Sequence, residues 1–283
     1  RYLISTYGPR RSDLRADFER ALGNAYPISR GPYLQASPPF ENGHSLEALI
    51  REGVAAPGFR ALSPNVFPLE RPLRLHQEVA VRKAIIHERN LVVATGTGSG
   101  KTECFLLPIL NHLLREREAG TLGSAGVRAL LLYPMNALAN DQVKRLRRLL
   151  EPIPDITFGR YVGETEHKHS RAELEFRRRY PHEPRVPNEL LSREAMQATP
   201  PHILLTNYAM LEYLLLRPDD SPLFDGPSSG RWRFIVLDEA HVYGGAQGTE
   251  VAMLLRRVKD RVQSGGGGSL QCFATSATLG RGR

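Results

Sequence analysis

The residues with the clearest capacity for chemistry are Ala94-Thr95-Gly96-Thr97-Gly98-Ser99-Gly100-Lys101-Thr102, set between the apolar runs Leu91-Val92-Val93 and Phe105-Leu106-Leu107. A strand that runs into a glycine-rich turn ending in Lys-Thr gathers backbone N–H groups and a helix N-terminus where a phosphate would sit. The glycines let the backbone wrap closely, and Thr97, Gly98, Ser99 and Gly100 are the candidate phosphate-binding residues of the turn. Lys101 reaches toward terminal phosphates, and the Thr102 hydroxyl is placed to ligate Mg²⁺. The strict form of the pattern wants Gly at position 95, where this chain has Thr.

A second group is Phe234-Ile235-Val236-Leu237-Asp238-Glu239-Ala240-His241. An apolar strand ending in adjacent acids puts Asp238 where it can hold Mg²⁺, directly or through water. It also puts Glu239 where it can orient and deprotonate an attacking water. Acid pairs are common and also cap helices; the association with a phosphate cradle is what favours Mg-nucleotide hydrolysis. Lys101, Asp238 and Glu239 are therefore the candidate catalytic residues.

Both groups need a scaffold of alternating strands and helices, and from about residue 71 the sequence supplies one. Helices are expected at 75–86, 101–116, 137–150, 207–216 and 248–262, and strands at 90–94, 127–133, 156–162, 202–206, 233–237 and 270–275. Short, continuously apolar strands such as Ala129-Leu130-Leu131-Leu132 predict burial on both faces, hence a mainly parallel sheet with helices on both sides. Ligands in such sheets gather at the carboxyl ends of strands, where the glycine loop lies. Between Glu166 and Thr199 the pattern is less regular: a charged helix is expected over Ser170–Tyr180, and Pro181, Pro184 and Pro187 enforce a loop. His167, His169 and His182 fall there; without supporting carboxylate or cysteine spacing they read as solvated surface rather than metal ligands.

Residues 1–70 are broken by eight prolines and read as a short, mostly helical N-terminal appendage. Asp13 can cap a helix carrying Leu14, Phe18 and Leu22, and Ser45 one carrying Leu46, Leu49 and Ile50. Tyr33–Phe40 is expected to be extended. Near the other end, Ser264-Gly265-Gly266-Gly267-Gly268-Ser269 has the composition of a flexible linker, compatible with a natural loop or with a splice replacing a longer one.

Composition narrows the class. The 283 residues carry 38 Lys and Arg against 30 Asp and Glu, a net charge of +8, which suits a polyanionic partner or merely a basic surface. The two cysteines, Cys104 and Cys272, sit beside apolar residues and are expected to be buried; their number excludes a disulfide framework. No apolar run is long enough to span a bilayer, and the chain reads as soluble and cytoplasmic.

Three segments in order, Ala94–Thr102, Asp238-Glu239-Ala240-His241 and Ser276-Ala277-Thr278, resemble motifs I, II and III of superfamily 2 helicases of the DExH/DEAH type. The resemblance covers residues 71–283 as the first of two RecA-like domains, with ATP and Mg²⁺ as cofactors. Leu73-Arg74-Leu75-His76-Gln77 resembles the Q-type motif, which implies that the Gln77 amide reads adenine. Leu131–Gln142 resembles motif Ia and Leu205–Leu211 motif Ib, implying that Asn136, Gln142, Thr206 and Asn207 face a nucleic-acid backbone; capping is the alternative for Asn136 and Asn207. Gly159-Arg160-Tyr161-Val162-Gly163-Glu164-Thr165 resembles the segment between them, which adds Arg160 to a basic track. By the same resemblance Ser276 and Thr278 couple nucleotide state to domain movement by bonding Asp238 or His241.

Segments Leu131–Gln142 and Asp238–Tyr243 are most similar to bacterial Mrf and Hrq-like DNA repair helicases and related phage-defence helicases. The resemblance implies an ATP-dependent DNA translocase without strong sequence preference; a nucleotide-gated binding or scaffold module, or an RNA helicase, is the alternative. Motifs IV to VI and the second RecA-like domain are not in the sequence. The chain alone is therefore expected to be nearly inactive, since an arginine finger is worth roughly 10³ to 10⁵ in rate.

Overall fold

A computed structural model describes residues 2–23 and 39–277, and the chain divides into two compact units, Arg1–Pro39 and Phe40–Arg283. The first contains helices α1 (Tyr2–Tyr7) and α2 (Ser12–Gly23), the latter where the Asp13 signal predicts one. Of the expected extended stretch, Tyr33 to Ser37 and Pro38 lie outside the described residues.

The second unit begins well before the compositional change near residue 70. Strand β1 (Asn42–Ser45) leads into α3 (Leu46–Arg51), and β1 pairs antiparallel with β2 (Pro72–Arg74). Ser45 caps α3 as its position predicts, its hydroxyl accepting the Ala48 N–H at 3.2 Å. Leu46, Leu49, Phe59 and Phe67 are buried in the same cluster as Phe105, Leu110 and Leu114. Residues 40–70 thus contribute side chains to the main core.

The alternating region follows: α4 (Leu75–Ile86), β3 (Leu91–Ala94), α5 (Lys101–Glu118), β4 (Ala129–Tyr133), α6 (Asn136–Leu150), β5 (Phe158–Arg160), α7 (His169–Arg179), β6 (Glu189–Leu190), α8 (Arg193–Ala198), β7 (Ile203–Asn207), α9 (Tyr208–Leu216), β8 (Phe234–Leu237), α10 (Gly245–Ser264) and β9 (Gln271–Ser276). Among the described residues, seven of these strands form one sheet in the order β3-β9-β8-β4-β7-β5-β6, every neighbouring pair parallel. Alternation along the strands explains the two-sided burial. Leu131, Tyr133, Phe234 and Val236 face one apolar cluster with α5 and α6, whereas Leu130, Leu132 and Ile235 face another with α9 and α10. This is the α/β architecture that the apolar strands predict.

Cys104 is buried on α5, and burial pushes its thiol up to about 12. Cys272, expected to be buried, is exposed. It alternates with the buried Phe273 on β9 and lines an open apolar groove with Val92 and α10. Among the described residues no helix is long and apolar enough to cross a membrane.

Candidate nucleotide and nucleic-acid site

The glycine loop follows β3 directly, anchored where the Thr95 N–H donates to the Ser276 carbonyl of β9 at 3.2 Å. Gly98 and Gly100 take φ of +72° and +74°, left-handed values that side-chain-bearing residues resist. Gly100 is the N-cap of α5, and a Cβ there would lie 2.3 Å from Gln77 Nε2. Thr95, where the strict pattern has Gly, has a local use: its hydroxyl bonds the buried Ser99 hydroxyl at 2.5 Å and braces the turn.

Lys101 is only 8% exposed, and its ammonium donates to the carbonyls of Thr95 at 3.1 Å and Gly96 at 3.3 Å. Among the described residues it forms no ion pair. A buried ammonium held by carbonyls at a helix N-terminus, with no carboxylate in ion-pair contact among the described residues, fits a phosphate ligand.

Gln77 sits behind the loop rather than at its rim. Its Oε1 accepts the Arg74 N–H at 2.8 Å and its Nε2 donates to the Gly100 carbonyl at 2.9 Å. An amide has one further acceptor and one further donor position, but the two bonds make Gln77 first a brace of the cradle. Three neighbours escaped the sequence reading. Arg74 Nη1 donates to the Gly98 carbonyl at 2.7 Å while its guanidinium stacks over Phe40, 4.4 Å from the ring centre. His76 Nε2–H donates to the Ser99 carbonyl at 3.0 Å, with burial holding its pKa below the ordinary value. The Leu73–Gln77 pattern was the available signal for Arg74 and His76; Phe40, so far upstream, had none.

The acid pair lies at the end of β8. Burial raises the pKa of Asp238, while a bond from the Thr275 hydroxyl opposes that shift; Glu239 raises it and Lys101 lowers it. Asp238 Oδ1 also accepts the Glu239 N–H at 3.2 Å, and that N–H is 3.1 Å from Thr275 Oγ1. Glu239 has φ of +50°, a left-handed backbone at a non-glycine residue, which costs about 1–3 kcal/mol and typically marks a functional turn. Its Oε2 lies 3.3 Å from His241 Nδ1, an ion-pair distance without hydrogen-bond geometry. A cavity of about 210 Å³ lined by Thr97, Pro134, Met135, Glu239 and His241 separates the glycine loop from this strand end.

The hydroxyl on Asp238 is thus that of Thr275, one residue before the Ser276-Ala277-Thr278 segment. Ser276 meets the glycine loop through its backbone carbonyl, and Thr278 lies outside the described residues. Alternation accounts for the shift, since Thr275 shares a face of β9 with the buried Phe273.

On the neighbouring strands, Tyr133 of β4 and Asn207 of β7 are in register, which brings Asn136 and Asn207 together. Asn207 Nδ2 donates to Asn136 Oδ1 at 2.8 Å, and Asn207 Oδ1 caps α9 by accepting the Met210 N–H at 2.8 Å. Asn136 does not cap: it is the first residue of α6. Thr206 departs from expectation. It is fully buried, its hydroxyl donating to the Tyr161 carbonyl at 2.6 Å, because alternation puts it on the buried face it shares with Leu204. Gln142 is half-buried on α6. Arg160 closes β5; its Nη1 is buried without a hydrogen bond, 4.0 Å from Glu164, and burial lowers its pKa. The turn that follows is fixed by Arg193, which donates to the carbonyls of Thr165 at 2.9 Å and Gly163 at 2.8 Å.

A parallel sheet with a phosphate cradle at one strand end and an acid pair two strands away defines a nucleotide-binding domain of RecA type. Residues 74–282 match the DEAD/DEAH box helicase family, and the chain belongs to it. The Druantia protein DruE of Escherichia coli is 31% identical over 367 aligned positions, which cover 99% of this chain and 20% of that protein. ATP-dependent helicase hrq1 of Schizosaccharomyces pombe is 29% identical over 200 positions, 67% of this chain and 15% of its own length. The DUF1998 helicase MrfA, solved bound to DNA and AMPPNP, superposes with a TM-score of 0.61 at 25% identity, covering 86% of this chain and 28% of MrfA. The chain therefore spans between 15% and 28% of these proteins.

Proposed function

We propose that this chain is the ATP-binding domain of an ATP-driven DNA motor, residues 71–283 forming the first RecA-like domain and a second closing the site from elsewhere in the protein. The observation that carries the reading is the buried, unpaired Lys101 in a glycine cradle, two strands from the buried Asp238 and its neighbour Glu239. In this reading Lys101 and the loop N–H groups of Thr97 to Thr102 hold the phosphates. Thr102 and Asp238 hold Mg²⁺, which when bound neutralises charge on the phosphates. Thr275 fixes the Asp238 carboxylate. Glu239 orients an attacking water and takes its proton, and His241 beside it reports that state toward the closing domain. Gln77 braces the cradle, and Phe40 with Arg74 forms the flat, cationic surface against which a base lies.

Nucleic acid would run across the ends of β4 and β7, where the Asn136–Asn207 pair, Gln142 and Arg160 meet backbone rather than bases. Such contacts give affinity without strong sequence preference. DNA is favoured by the similarity to the DNA-bound MrfA, and the setting, DNA repair or anti-phage defence, by the subfamily resemblance.

Glu239→Gln in the full-length protein is the test. Removing the base should lower ATP turnover by roughly 10² to 10⁴-fold with ATP and DNA affinities kept. Turnover retained in that variant overturns the reading.

A further inference from the structure

Among the described residues, several buried polar atoms near the site have no hydrogen-bond partner, among them Glu103 Oε2, Glu239 Oε2 and a phenol. Tyr133, the last residue of β4, is fully buried, and its hydroxyl makes no hydrogen bond among the described residues. Burying a hydroxyl without a partner is costly, and phenylalanine would fill the same space without that cost.

Strand register says what lies next to it. β4 and β8 pair in parallel with Leu132 opposite Leu237, and the Asp238 N–H donates to the Leu132 carbonyl at 3.0 Å. Tyr133 and Asp238 therefore stand side by side at adjacent strand ends. They also share a face: Leu131 and Tyr133 on β4, like Phe234 and Val236 on β8, belong to the cluster under α5 and α6. This is the side on which Lys101 begins α5.

Among the described residues, none of the other charges around the phenol takes its hydrogen. Arg145 of α6, which acts on Tyr133 electrostatically, donates to Glu103 Oε1 at 2.6 Å and can only donate. Glu103 Oε2 is buried without a hydrogen bond among the described residues, but it lies toward Gly100, 3.0 Å from where a Cβ would stand. Asp238 directs Oδ1 to Thr275 and the Glu239 N–H, which leaves the carboxylate with accepting capacity. Burial and the Asp238 charge both hold the phenol well above its ordinary pKa, so it remains a donor.

We propose that Tyr133 is a positioning residue for Asp238, its hydroxyl donating to the carboxylate when a Mg-nucleotide is bound and so fixing the face that Asp238 turns to the metal. The inference rests on the reading of Asp238 as the metal-side acid. Tyr133 itself touches neither nucleotide nor metal. Groups that orient a metal-binding carboxylate act on metal affinity more than on the fold.

Tyr133→Phe in the full-length protein removes the hydroxyl and nothing else; it is compared with wild type and with Asp238→Asn. Three quantities are read: the thermal midpoint without nucleotide, Mg²⁺-dependent binding of a fluorescent ATP analogue, and the Mg²⁺ concentration giving half-maximal turnover. Y133F should leave the midpoint unchanged or raised, and should raise the Mg²⁺ requirement of binding and turnover by roughly 10-fold. Nucleotide binding without Mg²⁺ should not change. An unchanged Mg²⁺ requirement in Y133F, with D238N impaired, overturns the inference and spares the site reading. If D238N leaves the Mg²⁺ requirement unchanged, the site reading fails and the inference with it. A lowered midpoint in Y133F also overturns the inference, because the hydroxyl is then spent on a structural partner.

Discussion

Gly100 is held by two separate constraints, and each has a measurable consequence. Its φ of +74° disfavours any side chain, and a Cβ would stand 2.3 Å from Gln77 Nε2. The amide end of Gln77 could swing away, but only by giving up its bonds to the Gly100 carbonyl and the Arg74 N–H. Gly100→Ala should therefore cost about 1–3 kcal/mol from the backbone alone. It should weaken ATP binding further by loosening the turn that aims the loop N–H groups. Gln77→Ala in the same chain relieves the overlap and leaves the backbone strain, so the double variant should be less impaired than the two single losses combined. Urea unfolding and nucleotide titration of the three variants test this; strict additivity would show that the overlap is relieved elsewhere. Thr275 illustrates a different limit at this scale. The hydroxyl-bearing segment at the end of β9 was legible in sequence, yet which hydroxyl meets Asp238 depends on strand alternation and could not be read from spacing alone.

At the scale of elements, the edge of the sheet depends on one arginine. Strand β6 has two residues, too few to hold by backbone bonds alone. Arg147, buried on α6, forks onto Glu189 of β6 at 2.7 and 2.9 Å and pairs with Glu183. Its guanidinium lies over Phe176 of α7, 4.8 Å from the ring centre, and over Tyr180 at 5.5 Å. Arg147→Met would strand the Glu189 carboxylate in a buried position, a loss of about 3–5 kcal/mol. The added Glu189→Met should recover most of it, since both charges then leave together. Limited proteolysis within residues 180–188 and urea unfolding follow the effect; a single variant as stable as wild type contradicts it. Elements of this kind explain where sequence reading stops. Helix 75–86 was legible to the residue, and α6, β4 and β8 nearly so, because apolar periodicity reports burial on one or both faces. β6 carries no such period. The contribution of residues 40–70 to the core was hidden in the same way, because prolines break the pattern while Leu46, Leu49 and Phe59 still find apolar partners far along the chain.

For the molecule as a whole, acid should act through the end of the sheet remote from the nucleotide. His202 precedes β7, buried, with Nδ1 accepting the Thr157 N–H at 3.0 Å. Burial, and then the buried Arg128, push its pKa down to about 4, with Glu116 and the Leu122 carbonyl opposing weakly. An unfolded histidine binds a proton near pH 6.5, whereas the folded one resists until about pH 4. Stability is then complete above pH 6.5 and falls as the pH drops through that window, by about 2 kcal/mol at pH 5 for this one group. The carboxylates held below their ordinary values, Glu78 and Glu116, lose their contribution only at lower pH. Asp238, raised by burial, has the opposite sign: its protonation relieves a buried charge and stabilises the fold, even as it removes the group that would hold Mg²⁺. Moving from pH 7.5 to 5 should therefore lower the urea midpoint of the wild-type protein and much less that of His202→Gln, whose amide oxygen can still accept from Thr157. Asp238→Asn should keep the His202-dependent loss in full, because the two groups sit at opposite ends of their strands. An equal fall in wild type and H202Q would assign the acid sensitivity to another group.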